Sequence, residues 1–211
     1  MGKAQRKRAL SECLISMRAC PEAVEWVGTR NLAAAWHECE RADWMLWLCG
    51  KMVGKHGWPR HEDIVLAACD CALTAKQWWW RVNDCPARAI ETAQKWACGK
   101  ASIDEVRHVV SVTHEAFVTA PSNVSPSAAD HSAYFAASTA TYNTTGAEAV
   151  KTAADAAADA AFIVAVPADA ASCDAYDVAA DARRRAHTKM CHLIRKRLTP
   201  GRMVAKECVR G

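Results

Sequence analysis

The sequence lacks long apolar runs, and this absence bears on the class of protein. No stretch of about 18 consecutive apolar residues occurs, so we expect no membrane-spanning helix. Ser11, Glu12 and Arg18 interrupt the N-terminal stretch, which therefore does not fit the apolar segment of a secretory signal peptide. We expect a cytoplasmic protein with no membrane partner.

Motifs that carry phosphate-binding or catalytic chemistry are also missing. The chain has no G-x-G-x-x-G, Walker loop, G-x-S-x-G or H-E-x-x-H pattern, and it has no C-x-x-C pair. Eight histidines and eleven cysteines permit a Cys–His pair, but no local pattern distinguishes one. We expect a protein that is not an enzyme and has no catalytic residues.

The eleven cysteines are scattered along the chain, and their number is odd. Without a secretory signal we expect no disulfide framework, because cytoplasmic thiols stay reduced. Cys69 and Cys71 on one helix would point about 200° apart, too far around the axis to bind one zinc ion. His187 and Cys191 share a helical face, but no second ligand pair accompanies them. We expect structural thiols, no bound metal and no cofactor.

Tryptophan is confined to one half of the chain, since all nine lie between Trp26 and Trp96. Within this half, residues 31–48 stand out as a candidate helical hairpin. We expect Thr29 to cap the first helix, which contains Trp36, because a hydroxyl can accept a hydrogen bond from a free first-turn N–H.

The second helix of the hairpin is expected to begin near Glu40 and Asp43, since the N-terminus of a helix favours acidic side chains. Trp44, Trp47 and Leu48 follow at the spacing of one helical face. Two indoles on one stripe bury a large apolar area, which predicts core packing. The alternative is that these tryptophans line a ligand site.

Capping residues and apolar periodicity predict further helices in this half of the chain. The expected segments run from Pro21 to Gly28, from Arg60 to about Trp80, from residues 84–86 to Gly99, and from Ile103 to about Val118 behind a capping box of Ser102 and Glu105.

The composition changes beyond residues 121–126, where we expect a linker. Of the 59 residues from 128 to 186, 24 are alanine, the best helix former, so we expect about three helices here, the last from about Ala170 to Leu198. Small side chains let helices approach closely, which favours packing onto the tryptophan-rich half and also allows a homo-oligomer. We predict an all-α bundle of about eight helices, with a Trp-rich subdomain (1–120) and an Ala-rich subdomain (121–211) in one compact unit.

Positive charge is concentrated near the C-terminus. Residues 183–211 contain ten Lys and Arg residues against the single acid Glu207. This basic face can contact phosphates, and Trp78–Trp80 can stack on bases, which indicates a nucleic-acid site. Internal neutralisation is the favoured alternative, because residues 128–182 hold eight acidic residues and Lys151 as their only Lys or Arg.

Several segments resemble the family of immunity proteins found in bacteria and bacteriophages. They are CPEAVEWVG (20–28), LAAAWHECERADWMLWL (32–48), DIVLAACDCA (63–72) and PARAIETAQKWACGKAS (86–102). RADWMLWL, Arg41 to Leu48, is the most specific of them, and Cys98 departs from the family pattern, which has arginine there. The resemblance covers residues 13–118 and extends to the remainder only by composition. It implies binding and neutralisation of a partner, without catalytic residues.

Three binding functions follow from these patterns. The leading hypothesis is stoichiometric binding of a toxin or of a defence-system protein, as in an immunity or phage anti-defence protein. The second is sequestration of a nucleotide-like signal, with Arg41, Trp44 and Trp47 joined by Arg183–Arg185, because guanidinium groups suit phosphate and indoles suit bases. The third is nucleic-acid binding through the basic ends. The candidate binding residues are Trp36, Arg41, Asp43, Trp44, Trp47, Arg183, Arg184, Arg185 and Lys189.

Overall fold

The computed structural model describes residues 9–79, 84–119, 128–141, 147–165 and 173–198. These residues form ten α-helices and two short 3₁₀ helices, with no β-strand among them, so the predicted all-α class is confirmed with ten helices in place of about eight. None of the helices in these ranges combines the length and apolar character needed to cross a bilayer. The α-helices are α1 (Leu10–Ser16), α2 (Pro21–Val27), α3 (Leu32–Glu38), α4 (Ala42–Lys51), α5 (His61–Leu73), α6 (Cys85–Ala97), α7 (Ile103–Val118), α8 (Ala128–Ser138), α9 (Ala147–Ala165) and α10 (Cys173–Arg197).

Several helix ends follow the local sequence signals. Pro21 opens α2, where its missing N–H costs nothing, and Gly28 ends it with a φ of 49°, a left-handed value that glycine adopts without strain. At the start of α7 the Ser102 hydroxyl accepts from the Glu105 N–H at 3.2 Å, and the Glu105 carboxylate accepts from the Ser102 N–H at 2.6 Å. This reciprocal pair is the predicted capping box.

Two predicted helix ends are wrong. Asn31, not Thr29, caps α3, because the helix begins at Leu32 and the Asn31 side chain accepts from the Ala34 N–H at 2.9 Å. The helix that begins after Arg60 ends at Leu73 and does not continue to Trp80. At its end the Thr74 hydroxyl donates to the Cys71 carbonyl at 2.7 Å, a local bond that competes with further helix. A 3₁₀ helix, Lys76–Trp78, follows.

The alanine-rich helices pack directly onto the tryptophan-rich ones. Helix α9 lies against α4, α5, α8 and α10, and one continuous core cluster contains Leu46 and Ile64 from the first half with Met190 and Ile194 from the second. Alanine methyl groups let these helices approach closely. Among the described alanines of α9, those almost fully buried are Ala147, Ala153, Ala154, Ala157 and Ala158. The expected linker at residues 121–126 lies outside the described residues.

The crossing of α4 and α9 depends on a glycine. A Cβ placed on Gly50 would lie 2.6 Å from the Cα and 2.9 Å from the Cβ of Ala147, closer than carbon atoms normally pack. The start of α9 therefore rests on the backbone of α4. This contact brings Glu148 and Lys151 of α9 to the side of α4 that carries the tryptophans.

Candidate functional site

A pocket of about 220 Å³ opens between the first four helices and the beginning of α9. Its lining is apolar except for Arg18, Glu148 and Lys151. Leu10 and Leu14 of α1 form part of its wall together with Val27 of α2 and Ala35 of α3. Four tryptophans also line it: Trp26, Trp36, Trp44 and Trp47. We call this cavity the tryptophan pocket.

The tryptophans reach the pocket because α4 buries two adjacent faces. Its deepest face carries Leu46 and Cys49, which are fully buried in the central core. The stripe of Trp44, Trp47 and Leu48 lies beside that face and points towards α1–α3. The stripe predicted as core therefore lines a cavity, although Trp47 itself is only 8% exposed.

Cationic side chains lie over three of the pocket indoles. The guanidinium of Arg30 lies 4.8 Å from the ring centre of Trp26, and that of Arg41 lies 4.6 Å from the ring centre of Trp44. These two indoles also contact each other at 6.0 Å between ring centres. Cation–π and aromatic contacts of this kind each stabilise a ring position, so the indoles are held before any ligand binds.

Two of the three polar residues that line the pocket, Glu148 and Lys151, have partners within the protein. The Trp47 indole N–H donates to a Glu148 carboxylate oxygen at 2.9 Å, with the Lys51 ammonium 5.3 Å from the indole ring. The Lys151 ammonium donates to Asp155 at 2.8 Å. An incoming ligand therefore meets a mainly apolar and aromatic surface.

A second group of polar residues is buried between α4, α9 and α10. Asp43 is fully buried, and its two carboxylate oxygens accept from Nε and Nη2 of Arg41, both at 2.8 Å. This pairing raises the pKa of Arg41. His187 is 2% exposed, with its Nδ1 3.8 Å from Asp43 and its Nε2 3.9 Å from Asp155, both too long for hydrogen bonds. Burial lowers the pKa of His187 more than the Asp43 carboxylate raises it.

The structure brings only some of the candidate residues together. Trp36, Trp44 and Trp47 line the pocket, and Arg41 and Asp43 pair with each other beside it. The remaining candidates all belong to α10 and do not line the pocket. Arg183 pairs with Asp155 and Asp159, Arg184 and Arg185 both pair with Asp181, and Lys189 is exposed beside Leu73 and Trp79.

Other basic groups of α10 are also used within the fold. Arg197 pairs with Asp70 of α5 at 2.6 Å, and Arg195 donates to the backbone carbonyls of Trp36 and Cys39. These described arginines of the basic face thus neutralise acidic side chains and tie α10 to the rest of the molecule, whereas residues 1–8, Trp80 and residues 199–211 lie outside the described residues. This arrangement favours internal neutralisation over a phosphate-binding face.

Comparisons with family models, with curated proteins and with solved structures find no match to this chain. The geometry of the site therefore has to carry the functional argument.

Several residues of these two sites were not predicted from the sequence, among them Trp26, Glu148, Lys151, Asp155 and His187. One signal was present, because His187 and Cys191 were recognised as sharing a face of the last helix. Asp155 carried a weaker signal, as one of few charged residues in an alanine-rich helix with Lys151 four residues before it. Neither pattern indicates that Asp43, 112 positions away from Asp155, lies alongside.

Burial governs the chemistry of most described cysteines. It raises the thiol pKa of Cys191 to about 12 and raises those of Cys39, Cys49, Cys69 and Cys71 as well. A protonated thiol is a poor nucleophile and a poor metal ligand. These cysteines act as small apolar side chains of the core.

Proposed function

We propose that this protein acts by stoichiometric binding of a protein partner, which inserts one large apolar or aromatic side chain into the tryptophan pocket. The observation that carries the proposal is the pocket's size and lining. At about 220 Å³ it is smaller than the roughly 300–1,000 Å³ typical of small-molecule sites, yet large enough for one bulky side chain.

The chemistry of the pocket also suits a protein interface. Binding energy at such interfaces concentrates in a few apolar anchors that fill desolvated pockets. Here the indoles of Trp26 and Trp44 are held by cation–π contacts, so little conformational entropy is lost when a partner binds. Ile15 of α1 is 62% exposed and gives this helix apolar surface outside the pocket.

The class of partner follows from the sequence resemblance. The segments at 20–28 and 32–48, which supply most of the pocket lining, are among those that resemble immunity proteins of bacteria and bacteriophages. We therefore propose that the partner is a toxin or a defence-system protein. Neutralisation by binding requires no catalytic residue in this chain.

A nucleotide-like signalling ligand is the second candidate, because the pocket presents several indoles that can stack on a base. The phosphates of such a ligand would need cations in the pocket. Arg183, Arg184 and Arg185 pair with aspartates elsewhere, and Lys151 binds Asp155. The pocket thus supports the aromatic part of this hypothesis better than its phosphate part.

The first test fills the pocket. Ala23 lines it and is 8% exposed, whereas Ala33 of α3 is exposed and does not line it. We expect Ala23→Leu to abolish 1:1 binding of a partner identified by crosslinking with the wild type, and Ala33→Leu to leave binding unchanged. Binding is measured by sedimentation and calorimetry, after circular dichroism has shown that both variants are folded. Equal affinity of both variants would contradict the proposal.

The second test separates the two candidate ligands. Thermal unfolding is recorded with a panel of nucleotides and cyclic dinucleotides at low and physiological salt. We expect no shift in Tm, because Lys151 of the pocket lining is bound to Asp155 and Arg41 beside the pocket is paired with Asp43, which leaves Arg18 of the described lining to meet several phosphate charges. A shift that persists at physiological salt would show specific binding to the native state and would favour the nucleotide-like ligand instead.

A further inference from the structure

We propose that Asp43, Asp155 and His187 form a binding site for one divalent transition-metal ion, with Zn²⁺ as the reference case. The three residues come from α4, α9 and α10 and meet in the interior. Each presents one donor atom, and the three atoms lie within 4.8 Å of one another. The site borders the tryptophan pocket, since Lys151 lines that pocket and donates to Asp155, but the inference does not depend on what the pocket binds.

His187 points to a ligand at this position. It is 2% exposed, and within the described part of the chain neither of its ring nitrogens has a hydrogen-bond partner. A buried polar side chain normally has one, because leaving it without a partner is costly. The separations of 3.8 and 3.9 Å from the two carboxylates are longer than direct hydrogen bonds.

A bound metal ion supplies the partner that the buried His187 ring lacks. The ligands of a tetrahedral zinc ion lie about 3.3 Å from one another, so side-chain rotations that bring the three donor atoms together complete the site. Each ring nitrogen of His187 has a carboxylate near it, Nδ1 that of Asp43 and Nε2 that of Asp155. One nitrogen can therefore bind the ion while the N–H of the other faces a carboxylate, as is usual for metal-bound histidine.

The set of donors selects the kind of ion. One imidazole and two carboxylates suit Zn²⁺ and its first-row neighbours, whereas Mg²⁺ prefers an octahedral shell of oxygen atoms with several waters. The carboxylates are also held by outer partners, Asp43 by Arg41 and Asp155 by Lys151. A carboxylate has about four acceptor directions, so these bonds leave a lone pair for the ion.

The same outer partners limit the affinity of the site. Arg41, Lys151 and Arg183 place positive charge beside the two carboxylates, and this charge repels a divalent cation. Removal of one of these charges should therefore strengthen metal binding, whereas the loss of a purely structural ion pair would have no such effect. Lys151 is the best choice, since it is the only one of the three that does not also hold a second carboxylate or an indole.

The experiment uses the full chain, freed of metal with a chelator and titrated with Zn²⁺ alone. We expect one equivalent to bind by calorimetry and to raise Tm. His187→Gln and Asp155→Asn should abolish this binding, whereas His108→Gln and Asp181→Asn, which alter exposed or half-buried groups of α7 and α10, should leave it intact. Absence of stoichiometric binding to the wild type, or binding unchanged by His187→Gln, would overturn the proposal.

Two further measurements keep the test independent of folding defects. Lys151→Met should increase the affinity for Zn²⁺ by roughly ten-fold, because a neighbouring positive charge is lost. Co²⁺ in place of Zn²⁺ should give a visible absorption band of low-coordinate cobalt in both the wild type and Lys151→Met. A lower affinity in Lys151→Met, or the same cobalt spectrum in His187→Gln, would count against the site.

Discussion

Neighbouring tryptophans of α4 take different roles because different helices lie against them. Trp47 is almost buried, and its indole N–H donates to Glu148 of α9. Trp44 is half-buried and packs against Trp26 of α2 under the guanidinium of Arg41. Both indoles line the pocket, but Trp47 also anchors α9, whereas Trp44 packs against α2.

The buried thiols predict how stability depends on pH. The pKa of Cys191 is about 12 in the folded protein and about 9 when the chain is unfolded, because burial disfavours the thiolate. Between these values the unfolded chain releases a proton that the folded chain retains, so stability should fall as pH rises above about 9. We expect the free energy of unfolding of Cys191→Ala to fall less steeply with rising pH than that of the wild type, as measured by urea unfolding at several pH values.

The matched control for this experiment is Cys98→Ser, since Cys98 is exposed. Cys98→Ser should leave the dependence of the free energy of unfolding on pH unchanged. A wild-type stability that is constant from pH 8 to pH 11 would contradict the expected burial of the thiols.

Gly50 allows a second prediction about a single residue. Gly50→Ala should lower the free energy of unfolding by about 1–2 kcal/mol, because overpacking costs about 1–3 kcal/mol and the higher helix propensity of alanine offsets only part of it. The new methyl group would meet the Ala147 Cα at 2.6 Å. Urea denaturation measures the loss.

A double variant tests the cause of this loss. Because the nearest atom belongs to the backbone, Gly50→Ala combined with Ala147→Gly should not regain wild-type stability. Full recovery would mean that the methyl groups alone clash and that the two backbones are farther apart than described.

At the level of secondary structure, the ends of helices follow local chemistry. The capping box of α7 involves residues three positions apart, and the Glu91–Lys95 pair of α6 forms at 2.7 Å as its i, i+4 spacing predicts. One of the two exceptions arises where two capping residues compete, at Thr29 and Asn31. There the first residue of the helix decides which side chain can reach a free N–H.

The α7 cap gives a prediction about one element. Ser102→Ala should destabilise the protein by about 1 kcal/mol, since it removes a side-chain acceptor from the first turn of α7. Ser111→Ala, in the exposed middle of the same helix, is the matched control and should change stability little. Equal effects of the two substitutions in thermal and urea unfolding would argue against the cap.

For the whole molecule, the shared core predicts cooperative unfolding. All nine tryptophans lie in the first half, so fluorescence reports on that half, whereas far-UV circular dichroism reports on helices throughout the chain. The two probes should give one coincident transition, because α9 and α10 pack on α4 and α5. Two separate transitions would show that the halves unfold independently.

A substitution in the shared core tests whether the fluorescence and circular dichroism transitions move together. Ile194 of α10 is fully buried, and Ile194→Ala should destabilise the protein by about 2–5 kcal/mol and shift both probes together. Val178→Ala, at a side chain of α10 that is 56% exposed, should have little effect on either probe. A shift confined to circular dichroism would contradict the coupling of the two halves.

Information local in the chain was sufficient to predict the helical class, the three alanine-rich helices and most helix ends. These features depend on propensity, capping and periodicity, which act over a few residues. The same information indicated Trp36, Trp44 and Trp47 as candidate binding residues, because Trp44 and Trp47 share one face of the second helix of the predicted hairpin and Trp36 lies in the first.

The two sites themselves depend on contacts between residues far apart in sequence. Periodicity shows that α4 has an apolar side, but not that Leu46 meets the core while Trp44 faces α2. Asp43, Asp155 and His187 meet because alanine-rich α9 and α10 both lie close to α4. The absence of a side chain at Gly50 permits the close approach of α9. Packing between helices decides such contacts. The burial of apolar surface is non-directional, so an apolar face read from the sequence does not indicate which helix will cover it.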